Sequence, residues 1–320
     1  MKSEKVKPRR GQSATRPSQI PFKGWKDIVL RVKKEIAHDN VSLVSAGIAF
    51  YFFLALFPTL NAIVSIYGLV TSAQEMQEQL RELLVILPVE SHQMISGIMQ
   101  SIVDQSDQSL GLSFAVSILF SIWSTSKGMS AVFSGINIAY NERDTRGFLR
   151  RTGLVLLFTL GGILLIATTM GLIAGGPDIA KKLEFPEWAI TAVVWGRWPL
   201  LLVMVMTSLG VIYKWVPHRT DPKIIWVNYG AITSGIAWLI ASILFSYYVS
   251  NFASYDKLYG GFAAVIILLL WFYLSAYMLI LGAEINSEME YQTKKDTTVG
   301  PEKEMGERGA YHADHVAPLK

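Results

Sequence analysis

The sequence predicts an all-α fold, a polytopic membrane helix bundle with six transmembrane helices plus interfacial amphipathic helices, and two patterns carry that prediction. Six apolar runs, residues 43–70, 112–133, 153–175, 198–215, 224–250 and 262–283, each approach or exceed the roughly 20 residues a helix needs to cross ~30 Å of hydrocarbon. Between these runs the positive charge alternates. Of the 29 Lys and Arg residues, 23 fall in the arm before residue 43, the loop 134–152, the segment 214–223 and the tail after 283, whereas the three remaining loops share 5. Cationic loops stay on the cytoplasmic side, so both termini are expected there.

Composition agrees with the spans. Apolar residues make up 51% of the chain, and the tryptophans are placed as an aromatic belt requires, with Trp188, Trp195 and Trp198 toward one face and Trp215 and Trp226 toward the other. Cysteine is absent, so the outer loops are held without disulfides, and nothing follows about redox compartment. No apolar stretch in residues 1–40 has the form of a cleavable signal, and insertion is expected to begin with the first span.

Along the chain, residues 1–20 scatter Lys and Arg among Ser, Pro and Gln without periodicity, which predicts a disordered basic arm. In residues 21–40, Phe22, Trp25, Ile28, Val29, Val32 and Ile36 recur at helical spacing, with Lys23, Lys26, Arg31, Lys33 and Lys34 between them. This is the pattern of an amphipathic helix in the cytoplasmic interface, where Trp25 and the five basic side chains meet anionic lipid. No stacking platform or nucleic-acid fold motif accompanies the charge, so a nucleic-acid partner is not expected.

The transmembrane domain is expected over 41–290. Its longest loop, 71–111, opens with a capping-box pair, Ser72 and Glu75, and carries two apolar stripes separated by Pro88, which predicts two short helices on the outer face. Residues 187–196 read as an interfacial lead-in to the fourth span, with Arg197 snorkelling at the rim. Ser45 with Ala49, Ala131 with Gly135 and Ala231 with Gly235 are small residues four apart that let helices approach closely. Residues 291–320 read as a flexible cytoplasmic tail, in which His312 and His315 are solvated.

Chemistry of the enzymatic kind is not evident. The five histidines are scattered, no phosphate-binding glycine loop or strand-borne nucleophile is present, and neither a metal site, a cofactor nor a catalytic residue is expected. Polar groups inside the spans are more informative, because hydrocarbon penalises them by several kcal/mol. Lys127 lies ~22 Å along the second span at 1.5 Å per residue, in its cytoplasmic third, and Glu284 ends the sixth span at about that level. The pair is expected to meet, or Lys127 to line an aqueous vestibule; the plainer alternative is a snorkelling lysine and a wet glutamate. Pro58 frees a carbonyl near Asn61 in the first span, a polar spot or simply a kink. Tyr259, before Gly260 and Gly261, suggests an interfacial anchor and turn, with a gate as the alternative.

Three motifs in order resemble a known family. They are Ala46-Gly47-Ile48-Ala49-Phe50-Tyr51 through Phe57-Pro58; Ile122-Trp123-Ser124-Thr125-Ser126-Lys127-Gly128-Met129 leading to Asn137, Tyr140, Arg143, Arg146 and Arg150; and Tyr259-Gly260 through Trp271 to Leu281-Gly282-Ala283-Glu284-Ile285-Asn286. Together they resemble the YihY/virulence factor BrkB family, formerly mislabelled as ribonuclease BN, over about residues 25–290. The resemblance implies a multi-pass protein of the bacterial cytoplasmic (inner) membrane, connected in some members with serum resistance, and places Trp123, Lys127, Asn137, Tyr259 and Glu284 in motifs. The expected function is a transporter or translocator of lipid or another amphiphile. The alternative is a non-transporting scaffold that recruits partners or lipids, and a ribonuclease is the least supported, since hydrolysis needs metal ligands or an acid/base pair. Expected partners are phospholipids, anionic lipid at the cytoplasmic face, a small amphipathic substrate and further copies of the chain.

Overall fold

In the computed structural model of the protein, the described residues are 10–67, 112–175, 185–252 and 262–318. They form α1 (Phe22–His38), α2 (Val41–Tyr67), α3 (Leu112–Ala139), α4 (Phe148–Met170, prolonged by one π-helical turn, Gly171–Gly175), α5 (Glu187–Trp215), α6 (Ile224–Phe252), α7 (Ala263–Glu290) and a one-turn α8 (Tyr311–Asp314). Among the described residues there is no strand, only an isolated bridge between Pro222 and Thr298. The fold is an all-α bundle, as the apolar runs predict.

By length and composition α4, α5, α6 and α7 can each cross a membrane, and α1 with the first part of α2, bent by 62°, passes the same test as a pair. Helices α2 and α3 are 27 and 28 residues long. The expected interfacial lead-in at 187–196 is instead the first part of α5, one helix that runs through Pro199. The loop 71–111 and Tyr259 lie outside the described residues, as do the side chains of Pro58 and Asn61, although the α2 backbone continues through both.

Helix α2 packs on α3 and α7, α7 on α6, and α6 on α5, while α4 sits beside α3. Small residues are where they touch. A Cβ on Gly230 of α6 would stand 2.2 Å from the Gly282 carbonyl oxygen of α7, and one on Gly135 of α3 would stand 2.7 Å from Ile280 and 2.9 Å from Val44. Asn286 pins the same crossing, accepting from the Gly230 amide (2.8 Å) and donating to the Val227 carbonyl (3.1 Å). Such close backbone approach is how helices associate where lipid removes the hydrophobic drive.

The polar end of the bundle departs most from expectation. Residues 10–20, assigned to a disordered arm, and 291–318, assigned to a flexible tail, are packed into one cap. Gln292 donates to the Arg10 carbonyl (2.6 Å) and Thr293 to that of Ala14 (2.6 Å), and Ala14, Ile20, Ala310 and Ala313 are buried. Buried Arg308 donates to the carbonyls of Lys294 (2.8 Å), Lys303 (3.2 Å) and Ala313 (2.6 Å), while Asp314 accepts from the amides of Gly306 (2.7 Å), Arg308 (2.9 Å) and Gly309 (2.9 Å). Those amides hold the Asp314 carboxyl below the usual range against the burial that raises it. His312, expected to be solvated, is buried with Nδ1 3.1 Å from the Tyr140 carbonyl, and burial drops its pKa to about 3. Order here comes from side chains satisfying backbone groups one by one, which leaves no hydrophobic period in the sequence.

Helix α1 falls within the expected 21–40, but its buried face, Gly24, Ile28 and Val32, rests on protein, with Ile28 and Val32 in one apolar cluster with Trp226 and Met289. Trp226 is therefore not part of an exposed belt, whereas Trp188, Trp195 and Trp215 are exposed. Trp25 is half-buried against Tyr229, ring centroids 6.1 Å apart. Lys23, Lys26, Lys33 and Lys34 are exposed; Arg31 is not free for lipid, because it is ion-paired with buried Glu288 of α7 and also donates to the Glu288 carbonyl (3.0 Å).

Candidate functional site

Helices α4 and α5 do not pack closely on each other. They are tied near their two ends, by Arg146, which donates to the Val216 carbonyl at 2.7 Å, and by Arg197 of α5, which donates to the Ile173 carbonyl. Between them lies a cavity of ≈ 580 Å³. Its apolar wall includes Leu154, Leu157, Phe158 and Leu165 of α4 and Val211 and Ile212 of α5, and Gly161 and Gly162 widen it, since a Cβ on either would meet nothing within 4 Å.

One end of the cavity is cationic. Arg146, Arg150, His218 and Arg219 line it, with a single carboxylate, Asp221. The loop 216–223 is anchored by Asn137, which bonds to its own helix at Phe133 O (2.7 Å) and accepts from the His218 amide (2.9 Å), while His218 Nδ1 lies 3.2 Å from the Thr145 amide. Arg219 is fully buried. It donates to Glu290 (2.6 Å) and lies 5.0 Å from the centre of the Tyr140 ring. Desolvation lowers its pKa, but Glu290 more than offsets this and holds it above the usual range. Burial draws Arg146 below the usual range, with Asp144 opposing. Both keep one guanidinium nitrogen, Nη1, buried without a hydrogen-bond partner. Arg150, exposed at the cationic end of an apolar trough with Arg146 behind it, is suited to an anion carrying a hydrocarbon tail.

The sequence-predicted residues divide. Asn137 is adjacent to the cavity as an anchor. Lys127 is exposed over the ring of Trp123, Nζ 5.3 Å from its centroid, and Trp123 itself is exposed beside Phe120. The expected meeting of Lys127 with Glu284 does not occur: Glu284 is buried against Asp39, and Lys127 is in no ion pair among the described residues. The reason is rotational, since Lys127 shares the outward face of α3 with Trp123 and Phe120, whereas Glu284 points from α7 toward the α1–α2 elbow. Depth along a helix does not fix azimuth.

His218, Arg219 and the Gly161-Gly162 pair were not singled out by sequence reasoning, and Trp215 only as a belt residue. The signal available was a glycine pair inside an apolar span and basic residues in the first polar turn beyond one. Also missed was the cluster of Glu35, His38 and Asp39, whose ligand atoms lie within 4.8 Å of one another, although Glu35 and His38 have the i, i+3 spacing of ligands on one helical face.

Long apolar helices around a groove that is cationic at one end define a multi-pass membrane protein. The chain belongs to the Virulence factor BrkB family, whose model matches residues 32–307. It is 32% identical over 259 residues to a ribonuclease-like protein, YfkH, of Bacillus subtilis, covering 78% of this chain and 90% of that one. It is 25% identical over 280 residues to a UPF0761 membrane protein of Acinetobacter baylyi (84% and 64% of the two chains) and 24% identical over 264 residues to one of Idiomarina loihiensis (80% and 89%). No solved structure matches.

Proposed function

We propose that the protein takes up an anionic amphiphile, with a phospholipid as the simplest case, in the groove between α4 and α5 and moves it between the leaflets of the bacterial cytoplasmic membrane. Six helices, α2 to α7, cross, and both termini are cytoplasmic, which puts the cationic end of the groove at the cytoplasmic surface. The observation that carries this reading is the join of Arg146 and Arg150, beside the buried Arg219–Glu290 ion pair, to an apolar trough in one ≈ 580 Å³ space. Arginine binds phosphate in a fork, and an apolar trough accepts an acyl chain from the bilayer without a desolvation cost. No nucleotide-binding motif is present in the sequence, so the drive is a gradient or another subunit. We hold it a translocator and not an enzyme: phosphodiester cleavage by metals needs more carboxylates than the groove's Asp221.

The test is translocation of a fluorescent anionic phospholipid in proteoliposomes. Wild-type protein is expected to outpace protein-free vesicles, and Arg150→Gln to slow transfer by roughly 10-fold or more, as loss of one charge-assisted bond implies. A wild-type rate equal to that of empty vesicles would sink the reading; retention of the lipid without transfer would favour the scaffold.

A further inference from the structure

We propose that the elbow between α1 and α2 is a binding site for one divalent transition-metal ion, held by Glu35, His38 and Asp39 with the buried carboxylate of Glu284 behind them. This goes beyond the groove and does not depend on it.

The elbow is built to bring these groups together. Helix α1 ends at His38, Asp39 follows, and Asn40 takes a left-handed backbone (φ 51) that asparagine tolerates, turning the chain by 62° into α2. His38 Nδ1 then lies 2.8 Å from the Asp39 carboxylate and 3.5 Å from that of Glu35. Ligand atoms ~2.0–2.2 Å from one ion stand roughly 2.9 Å apart in an octahedral arrangement and 3.4 Å apart in a tetrahedral one. The two separations found lie close to that range, the shorter being a His38–Asp39 hydrogen bond that an ion would replace.

A second observation comes from the other side of the site. Glu284 of α7 is 1% exposed and its carboxyl lies within hydrogen-bonding reach of the Asp39 carboxyl, two sets of acceptors facing each other; Glu284 Oε1 and Asp39 Oδ2 are both buried with no N–H or O–H donor from the protein. From α1 the charged and titratable groups here are Arg31, Glu35, His38 and Asp39, and from α7 they are Glu284 and Glu288. Arg31 is already spent on Glu288. Three carboxylates, two of them buried, therefore face one imidazole, and that much like charge calls for a proton or a cation among them. One imidazole nitrogen with carboxylate oxygens favours a first-row transition ion over Mg²⁺ or Ca²⁺, which prefer all-oxygen shells. His38 is 75% exposed on its side chain, so an ion can enter from solvent.

The experiment uses the full-length protein, purified in detergent without a polyhistidine tag and stripped with a chelator. Zn²⁺ is titrated calorimetrically, and Co²⁺ is followed by its d–d absorption as a report on ligand geometry. One Zn²⁺ per chain is expected, with affinity lowered 10-fold or more in His38→Ala and in Asp39→Asn, and with the Co²⁺ band shifted in Glu284→Gln. His315→Ala, an exposed histidine on the tail, should bind as wild type does. Absence of stoichiometric Zn²⁺ binding in the wild-type protein overturns the proposal. So does a loss in His315→Ala equal to that in His38→Ala, because the ion would then sit on the tail.

Discussion

Substituting Ala at Gly282 should destabilise the bundle, although the same change at Gly161 should stabilise it. In a helix, Gly to Ala is worth about 0.5–1 kcal/mol in favour of Ala when the methyl group meets nothing. At Gly161 it meets nothing within 4 Å. At Gly282 the new Cβ would stand 2.3 Å from the Tyr213 hydroxyl oxygen, 2.6 Å from Ser234 Cβ and 2.9 Å from the Gly230 carbonyl oxygen. Ordinary carbon contacts lie near 3.5–4.0 Å, so α7 must move by about 1 Å from both α5 and α6. Overpacking of that kind costs about 1–3 kcal/mol. Tyr213 also donates to the Leu279 carbonyl at 2.8 Å, and displacing it strands a buried hydroxyl for about 1–3 kcal/mol more. Net of the helix gain, Gly282→Ala should lose about 1–5 kcal/mol. Intrinsic tryptophan fluorescence during thermal unfolding in detergent ranks the two variants against wild type. If Gly282→Ala unfolds at or above the wild-type temperature, the α6–α7 crossing is not as close as described.

Arg219→Met should destabilise by about 3–5 kcal/mol by leaving Glu290 buried and unpaired, and Arg219→Met with Glu290→Leu should recover most of the loss; denaturant titration in detergent checks both. Docking of the tail should depend on pH through His312, whose pKa falls from 6.5 to about 3 on burial. The unfolded tail then binds more protons between those values, so docking is complete above about pH 6.5 and weakens progressively toward pH 3; hydrogen exchange of residues 303–317 should follow that course in the wild type and lose it in His312→Gln. Because the chain has no cysteine, single cysteines at positions 90 and 305 can report topology, and an impermeant thiol reagent should label them from opposite sides of the membrane. Labelling from the same side would contradict the orientation.

What the sequence made legible was what repeats. The apolar period of Phe22, Trp25, Ile28 and Val32 located α1 inside the expected 21–40, and the apolar runs located α4 to α7. Helix ends were harder: α4 begins at Phe148, five residues before the expected start, because Arg150 and Arg151 continue the helix through the polar region. The cap escaped altogether. Arg308, Asp314 and Thr293 order it through specific hydrogen bonds to backbone groups far apart in sequence, and no residue spacing announces such bonds. Family motifs pointed to Asn137 and Glu284, and both are buried at junctions of elements. Which neighbour each would find, the His218 amide and the Asp39 carboxylate, depends on helix rotation, and that is a property of the packed bundle.

The groove between α4 and α5 is tested most directly by lipid retention in native mass spectrometry of the purified protein. Wild-type protein should keep an anionic phospholipid in preference to a zwitterionic one. The variant Gly161→Leu with Gly162→Leu, which fills open space and should fold as well as wild type, should keep neither. Equal retention of anionic lipid by the wild type and the filled variant would contradict the assignment of the groove as the amphiphile site.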